Sequence, residues 1–336
     1  MRLKSIPVEI SLLVYLLIYA PYVVLTRLVT QMPVGKLGRH LTGTETLPAT
    51  FIISLILTFS FIWLSGWHKK ATGVQLAAIR LPVPTIYTFL SGVGTALVLF
   101  TVPLSFTIDG VSIPFIQLLM RGDILIVAPL VDLMFRRKVR WWSWLALVVV
   151  LIALIIVVKD RGNLNLPPIA ILTVVLYTVG FFIRLAVMTK VSKTGDDDSI
   201  QRYFVEEKIV AMPFAIIFLA LIAAAGIGNQ ANQLIVGFFE VWTDPIIFTL
   251  ALSAVLMTAI AILSLVILLD ARENSYCVPL ERSASILAGV IGAYLLALGW
   301  GLPKPSSAEL LGAGLLIAAI ILLSFAPRLA KTMNHG

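Results

Sequence analysis

Ile246–Leu269 reads IIFTLALSAVLMTAIAILSLVILL and carries not one charged side chain. At 1.5 Å of rise per residue, such a run is long enough to cross the roughly 30 Å hydrocarbon core of a bilayer. Comparable apolar runs recur along the chain, over 6–29, 47–66, 82–106, 111–135, 141–158, 167–189, 207–227, 276–298 and 307–326. The 336 residues are 60% hydrophobic and 12% charged, with a mean hydropathy of +1.02. A soluble domain carries about 25% charged residues because its surface faces water. Half that fraction leaves too little polar surface for a soluble fold, so lipid must cover the remainder. The expected fold class is an all-α, multi-pass integral membrane protein of about ten transmembrane helices. Arg2 and Lys4 precede the first run as they would in a signal peptide, but the run is of spanning length and is read as the first span.

The net charge of +8 is a statement about topology, because the cations sit in short clusters between apolar runs. Arg2, Lys4, Lys69, Lys70, Arg80, Arg136, Arg137, Lys138, Arg140, Lys190 and Lys193 fall on one side together with Arg202, Lys208, Arg272, Arg328 and Lys331. The other side has only Lys36, Arg39, Lys159, Arg161 and Lys304. The positive-inside rule then puts both termini in the cytoplasm. Short loops suit a bacterial cytoplasmic (inner) membrane, and nucleic acid is not an expected partner. Membrane lipids are partners by necessity, and a homodimer is the assembly left open. The one cysteine, Cys277, permits no intrachain disulfide. His40, His68 and His335 are far apart and outside the apolar runs, so neither a metal site nor a cofactor is expected. Gly35-Lys36 lacks the rest of a phosphate-binding loop, which argues against an ATP-driven pump. The connections 30–46, 190–206 and 228–245 are too short to bury a core, and Asp196-Asp197-Asp198 reads as a solvated loop.

Two stretches suggest an internal repeat. TIDGVSIPFIQLLMR (Thr107–Arg121) laid over LLDARENSYCVPLER (Leu268–Arg282) aligns Asp109 with Asp270, Leu119 with Leu280 and Arg121 with Arg282. Glu45 falls on Glu206 at the same offset, and Arg27-Leu28 falls on Arg184-Leu185 at a slightly shorter one. Equivalent halves, 1–165 and 166–336, hold five runs each. Five is odd, so the second copy enters the membrane from the opposite face. That gives an inverted repeat, with substrate held near the midplane between the halves.

QLLMRGDILIVAPLVDLMFRRKVRWWSWLALVVVLIALIIVV (Gln117–Val158) and ERSASILAGVIGAYLLALGWGLPKPSSAELLGAGLLIAAIILL (Glu281–Leu323) each read as a helix, a short turn and a final helix. With ten spans in a five-plus-five order, the chain resembles the drug/metabolite transporter superfamily, of the EamA-like type. That family often has Gly-Glu at the turn, where this chain has Arg136-Arg137-Lys138 and Gly301-Leu302-Pro303-Lys304. The resemblance implies metabolite export by a transporter whose fourth and ninth helices line a central cavity.

Ionisable groups at membrane depth cost roughly 2.5–3.5 kcal/mol each on insertion scales, so each needs a partner or a purpose. Arg121, Asp123 and Asp132 lie in the fourth run, and Glu281 and Arg282 in the ninth. Arg121 and Arg282, related by the repeat, are candidates to hold a carboxylate or phosphate in bidentate, charge-assisted bonds. Asp123 and Glu281 would tune the field or carry protons, and a pairing of Arg121 with Glu281 would admit a zwitterionic substrate. Asp132 is expected to pair with Arg136 one turn on. Glu45, Glu206 and Glu207 stand at expected span entrances, as hydrated interfacial groups or as coupling carboxylates. Arg27 and Arg184 are expected to snorkel from span ends.

The function expected is a secondary transporter for a small organic anion or polar metabolite, anionic or zwitterionic. A lipid or lipid-linked sugar flippase and a non-transporting structural subunit are the alternatives. The chain is not expected to be an enzyme, because no membrane-embedded histidine or serine–histidine pair exists.

Overall fold

A computed structural model describes residues 8–76, 79–108, 110–122, 127, 130, 131, 133, 134, 141–160, 166–191, 196–226, 228–270 and 274–333. Asp109, Asp123, Asp132, Arg272 and the basic turn Arg136–Arg140 lie outside the described residues. The chain is an all-α, multi-pass membrane protein. Its helices are α1 (Val8–Val29), α2 (Gly43–Leu64), α3 (Ile86–Thr107), α4 (Ile113–Gly122), α5 (Trp141–Asp160), α6 (Pro168–Val191), α7 (Asp197–Ala225), α8 (Gly228–Ile235), α9 (Ile246–Leu268), α10 (Asn274–Trp300) and α11 (Ser307–Met333). Seven of these, α1, α2, α3, α6, α7, α9 and α10, are long and apolar enough to cross a membrane. The other long helices, α5 and α11, and the shorter α4 overlap the fifth, tenth and fourth apolar runs.

Helix starts are written in local chemistry. Thr42 caps α2 in a reciprocal arrangement, its hydroxyl accepting from the Glu45 amide while Glu45 accepts from the Thr42 amide. Thr85 and Thr88 do the same at α3. Asp196 caps α7 by accepting from the Ser199 amide, with Asp197 and Asp198 in the first turn. The three aspartates are therefore a helix start rather than a loop. This adds about ten residues before the expected span 207–227 and carries Glu206, Glu207 and Lys208 well inside the helix. The connection 228–245 is likewise helical: α8 runs into a π-turn at Val236–Glu240 and a 3₁₀ turn at Val241–Thr243. Small antiparallel hairpins pair Pro33–Val34 with Arg39–His40 and Gly73–Leu76 with Ile79–Pro82.

The packing is built around α3, which lies against α6 and α7, and α1, which lies against α9 and α10. In addition α2 packs on α9, α4 on α10, and α5 on α11. The α3–α6 crossing is close because both sides use glycine. A Cβ at Gly94 would lie 2.7 Å from the Gly180 carbonyl oxygen, and one at Gly180 would lie 2.5 Å from that of Gly94. Large apolar side chains such as Leu17, Leu64, Phe248 and Leu298 stand on the outside. Charged groups including Arg121, Glu207, Lys208, Glu281 and Arg282 are inside. That inversion of the soluble pattern is what a lipid solvent demands.

Candidate functional site

Midway along α1, Tyr15, Tyr19 and Tyr22 face the interior at spacings of four and three, one helical stripe. They border a cavity of about 80 Å³ lined also by Arg121 of α4, Phe181 and Arg184 of α6, Lys208 of α7, Ser264 of α9, and Glu281 and Arg282 of α10. Its apolar wall comes from Val98, Leu99 and Val102 of α3 and Met257, Ile260 and Ala261 of α9. The volume suits several waters or the polar end of a small solute.

Arg121 is 3% exposed and donates to Tyr19 Oη at 3.0 Å and to Tyr177 Oη. Its Nε makes no hydrogen bond with the described residues. Arg282, equally buried, lies with its guanidinium carbon 3.8 Å from the centre of the Phe181 ring and 5.3 Å from that of Tyr177. Neither Arg282 Nε nor one of its Nη groups has a hydrogen-bond partner among the described residues. Glu281 Oε1 accepts from Tyr15 at 2.6 Å and from Ser264 at 3.2 Å. Glu281 Oε2 lies 3.5 Å from Arg282 Nε, too poorly aligned for a hydrogen bond. The sequence therefore identified three residues that do converge, Arg121, Glu281 and Arg282. The expected Arg121–Glu281 pair is replaced by Arg121 with two tyrosines and Glu281 with its own neighbour.

A second acidic centre sits beside the cavity. Glu207 Oε1 accepts from Thr95 at 2.6 Å, Tyr203 at 2.9 Å, Arg184 Nε at 2.9 Å and Ser91 at 3.4 Å. Lys208 Nζ is 3.4 Å from its Oε2. Ser91, Thr88 and Thr95 recur on one face of α3, which turns that face toward α7. Two expectations are overturned here. Arg184 does not snorkel: it is 6% exposed and pairs inward with Glu207. Glu207 is not a hydrated interfacial group, because the extra turns of α7 bury it. Lys208, counted from sequence as a topological charge, is 2% exposed for the same reason.

Glu45 and Glu206 are also buried rather than hydrated, and neither borders the cavity. Glu45 accepts from Arg39 through both oxygens, at 2.5 and 2.9 Å, and from the Thr42 amide at 2.6 Å. Glu206 accepts from the Thr72 amide and from Thr88 Oγ1, both at 2.9 Å. Arg27 donates to the carbonyls of Phe106 and Ile108 at 3.2 and 3.3 Å, beside a separate opening of about 250 Å³ that includes Ser112, Ala293 and Lys304.

Among described residues the cavity and its partners thus hold four cations (Arg121, Arg184, Lys208, Arg282) against two carboxylates (Glu207, Glu281). The tyrosines, Lys208 and the Arg184–Glu207 pair escaped the sequence reading. A helix start placed at Asp196, with acidic residues in the first turn, would have moved Glu207 and Lys208 to membrane depth.

No family model and no curated protein matches this chain. Among solved structures 26 chains match. One, a crystal structure of a protein, is 12% identical with a TM-score of 0.50, over 95% of this chain and 97% of that one. At that identity the likeness concerns the fold alone.

Proposed function

We propose that the protein is a secondary transporter that carries a small organic anion across the membrane by alternating access between two inverted halves, 1–165 and 166–336. The observation that carries this reading is the surplus of buried positive charge, among the described residues, around a central cavity, with donors of Arg121 and Arg282 that have no hydrogen-bond partner among those residues. Uncompensated cations in lipid are expensive, and a visiting anion offsets that expense when bound. The fork geometry of arginine suits a carboxylate or a phosphate monoester. The apolar wall on α3 and α9 would take the rest of the molecule.

The packing supports the inverted repeat. Reading α4, α5 and α11 as further spans completes ten, and a two-fold would exchange α1 with α6, α2 with α7, α3 with α9, α4 with α10 and α5 with α11. Under that exchange the α3–α6 contact becomes α9–α1, α3–α7 becomes α9–α2, and α4–α6 becomes α10–α1. The contacts α2–α7, α4–α10 and α5–α11 map onto themselves. Two halves able to swap roles around a fixed site are what alternating access requires.

The test is anion uptake into proteoliposomes, with succinate, benzoate and glycerol phosphate as probes. Wild-type protein should accumulate at least one of them, and Arg121→Ala with Arg282→Ala should abolish that uptake. Uptake that is unchanged in the double variant would place the site elsewhere.

A further inference from the structure

Among the described residues two buried acids meet the cavity region, and the protein holds them unequally. Glu207 Oε1 accepts from hydroxyls of Ser91, Thr95 and Tyr203 and from Arg184, four donors drawn from three helices, while its Oε2 stands 3.4 Å from Lys208 Nζ without a hydrogen bond. Glu281 has far less. Its Oε1 accepts from Tyr15 and Ser264, and its Oε2 faces one cation, Arg282, at 3.5 Å with no hydrogen bond. Among the described residues, the other titratable or charged groups on the same cavity are Tyr19 and Tyr22 from α1, Arg121 from α4, Arg184 from α6 and Lys208 from α7. Among the described residues the ion pair of Glu281 is with Arg282 and with none of these.

We propose that Glu281 is the proton-coupling carboxylate of this transporter, loaded when a substrate anion takes Arg282 from it. The inference rests on the anion-transport reading above. An anion entering the cavity finds the unused Nε and Nη of Arg282, the same guanidinium that faces Glu281 Oε2. Once that guanidinium is shared or turned away, a buried carboxylate loses its nearest positive charge, and taking up a proton removes the cost of an unpaired ion at membrane depth. A proton from water on the entry side then forms an O–H bond at Oε2, the oxygen that has no hydrogen bond, while Tyr15 keeps its bond to Oε1. When the anion departs on the far side, Arg282 returns, the O–H bond breaks and the proton leaves to that side. Arg282 stays protonated throughout. Anion and proton therefore travel together, which makes the cycle a symport.

The experiment has two arms on the full-length protein. In lipid nanodiscs, infrared difference spectroscopy across a pH titration reads the stretch of a protonated carboxyl group. Arg282→Gln, which imitates removal of the cation, should raise the midpoint of one such band by about 1–3 pH units. Adding Glu281→Gln should remove that band. An unmoved midpoint, or a band that persists in the double variant, overturns the assignment to Glu281. In proteoliposomes the readout is the ratio of uptake with and without an inward proton gradient, for succinate, benzoate and glycerol phosphate. The ratio should exceed one for the wild-type protein and fall to one in Glu281→Gln. A ratio that stays high in Glu281→Gln overturns the coupling even if the infrared shift is present. A wild-type protein that moves none of the probes overturns the transport reading and the coupling with it.

Discussion

Glu207 and Glu281 are both buried and each stands beside an arginine, but one belongs to a brace and the other to a site. Around Glu207, four donors converge on a single oxygen, and a lysine stands 3.4 Å from the second, which makes no hydrogen bond among the described residues, so α3, α6 and α7 are tied through one carboxylate. Around Glu281 and its neighbours, polar capacity is left over: Glu281 Oε2, Arg121 Nε, and Arg282 Nε and Nη have no hydrogen-bond partner among the described residues. A buried network with many donors on one group fixes a structure, whereas one with several unused donors keeps the capacity to bind something else. The difference teaches that charge at membrane depth is not in itself a sign of function. What separates the two acids is the number of donors on the bonded oxygen, four against two, and the arginine donors left over beside Glu281.

The largest effect expected from this contrast is on folding. Glu207→Ala leaves Arg184 and Lys208 buried without their shared counter-charge and should lower stability by about 3–5 kcal/mol. Glu281→Ala removes two hydroxyl bonds and one loose ion contact, and should cost about 1–3 kcal/mol. Thermal unfolding in detergent measures both, and equal losses would erase the distinction.

The arginines should divide the opposite way. Arg121→Ala and Arg282→Ala should each reduce anion uptake per folded molecule by about 10- to 100-fold, for a lost charge-assisted bond of about 1.5–3 kcal/mol. Arg184→Ala should instead lower the yield of folded protein. A normal yield of Arg184→Ala with uptake lost would move Arg184 from the brace into the site.

Glycine substitutions sharpen the same comparison. Gly94→Ala meets the backbone carbonyl of Gly180 on the braced side, where neither helix can yield, and should destabilise by about 1–3 kcal/mol. Gly289→Ala meets the amide end of Gln117, a side chain able to turn aside, and should be tolerated better. The smallest effects come from single hydroxyls, worth about 1 kcal/mol each. Tyr203→Phe should appear in the melting temperature, and Tyr19→Phe as a roughly fivefold rise in the anion concentration needed for half-maximal uptake.

Part of this was legible in the sequence. The expected span 246–269 and the helix Ile246–Leu268 coincide almost residue for residue, because an uninterrupted apolar run has no other home than lipid. Arg121, Glu281 and Arg282 stood out for the same reason, being charges in the wrong solvent. The brace was hidden by one misplaced helix start. With α7 begun at residue 207 rather than at Asp197, Glu207 looked interfacial and Lys208 looked cytoplasmic. Tyr15, Tyr19, Tyr177 and Tyr203 were hidden for a different reason. A tyrosine in an apolar run declares neither its depth nor its partner, and the partners of Tyr15 and Tyr177 lie on other helices, Glu281 on α10 and Arg121 on α4.

The central claim is that one cavity is reached in turn from both faces of the membrane. Ala261 lines that cavity from α9 and makes no polar contact that the account relies on. In a Cys277→Ser background, Ala261→Cys in oriented vesicles should react with a membrane-impermeant thiol reagent applied from either side. A transported anion should slow both reactions. Reaction from one side alone, whatever anion is present, would contradict alternating access.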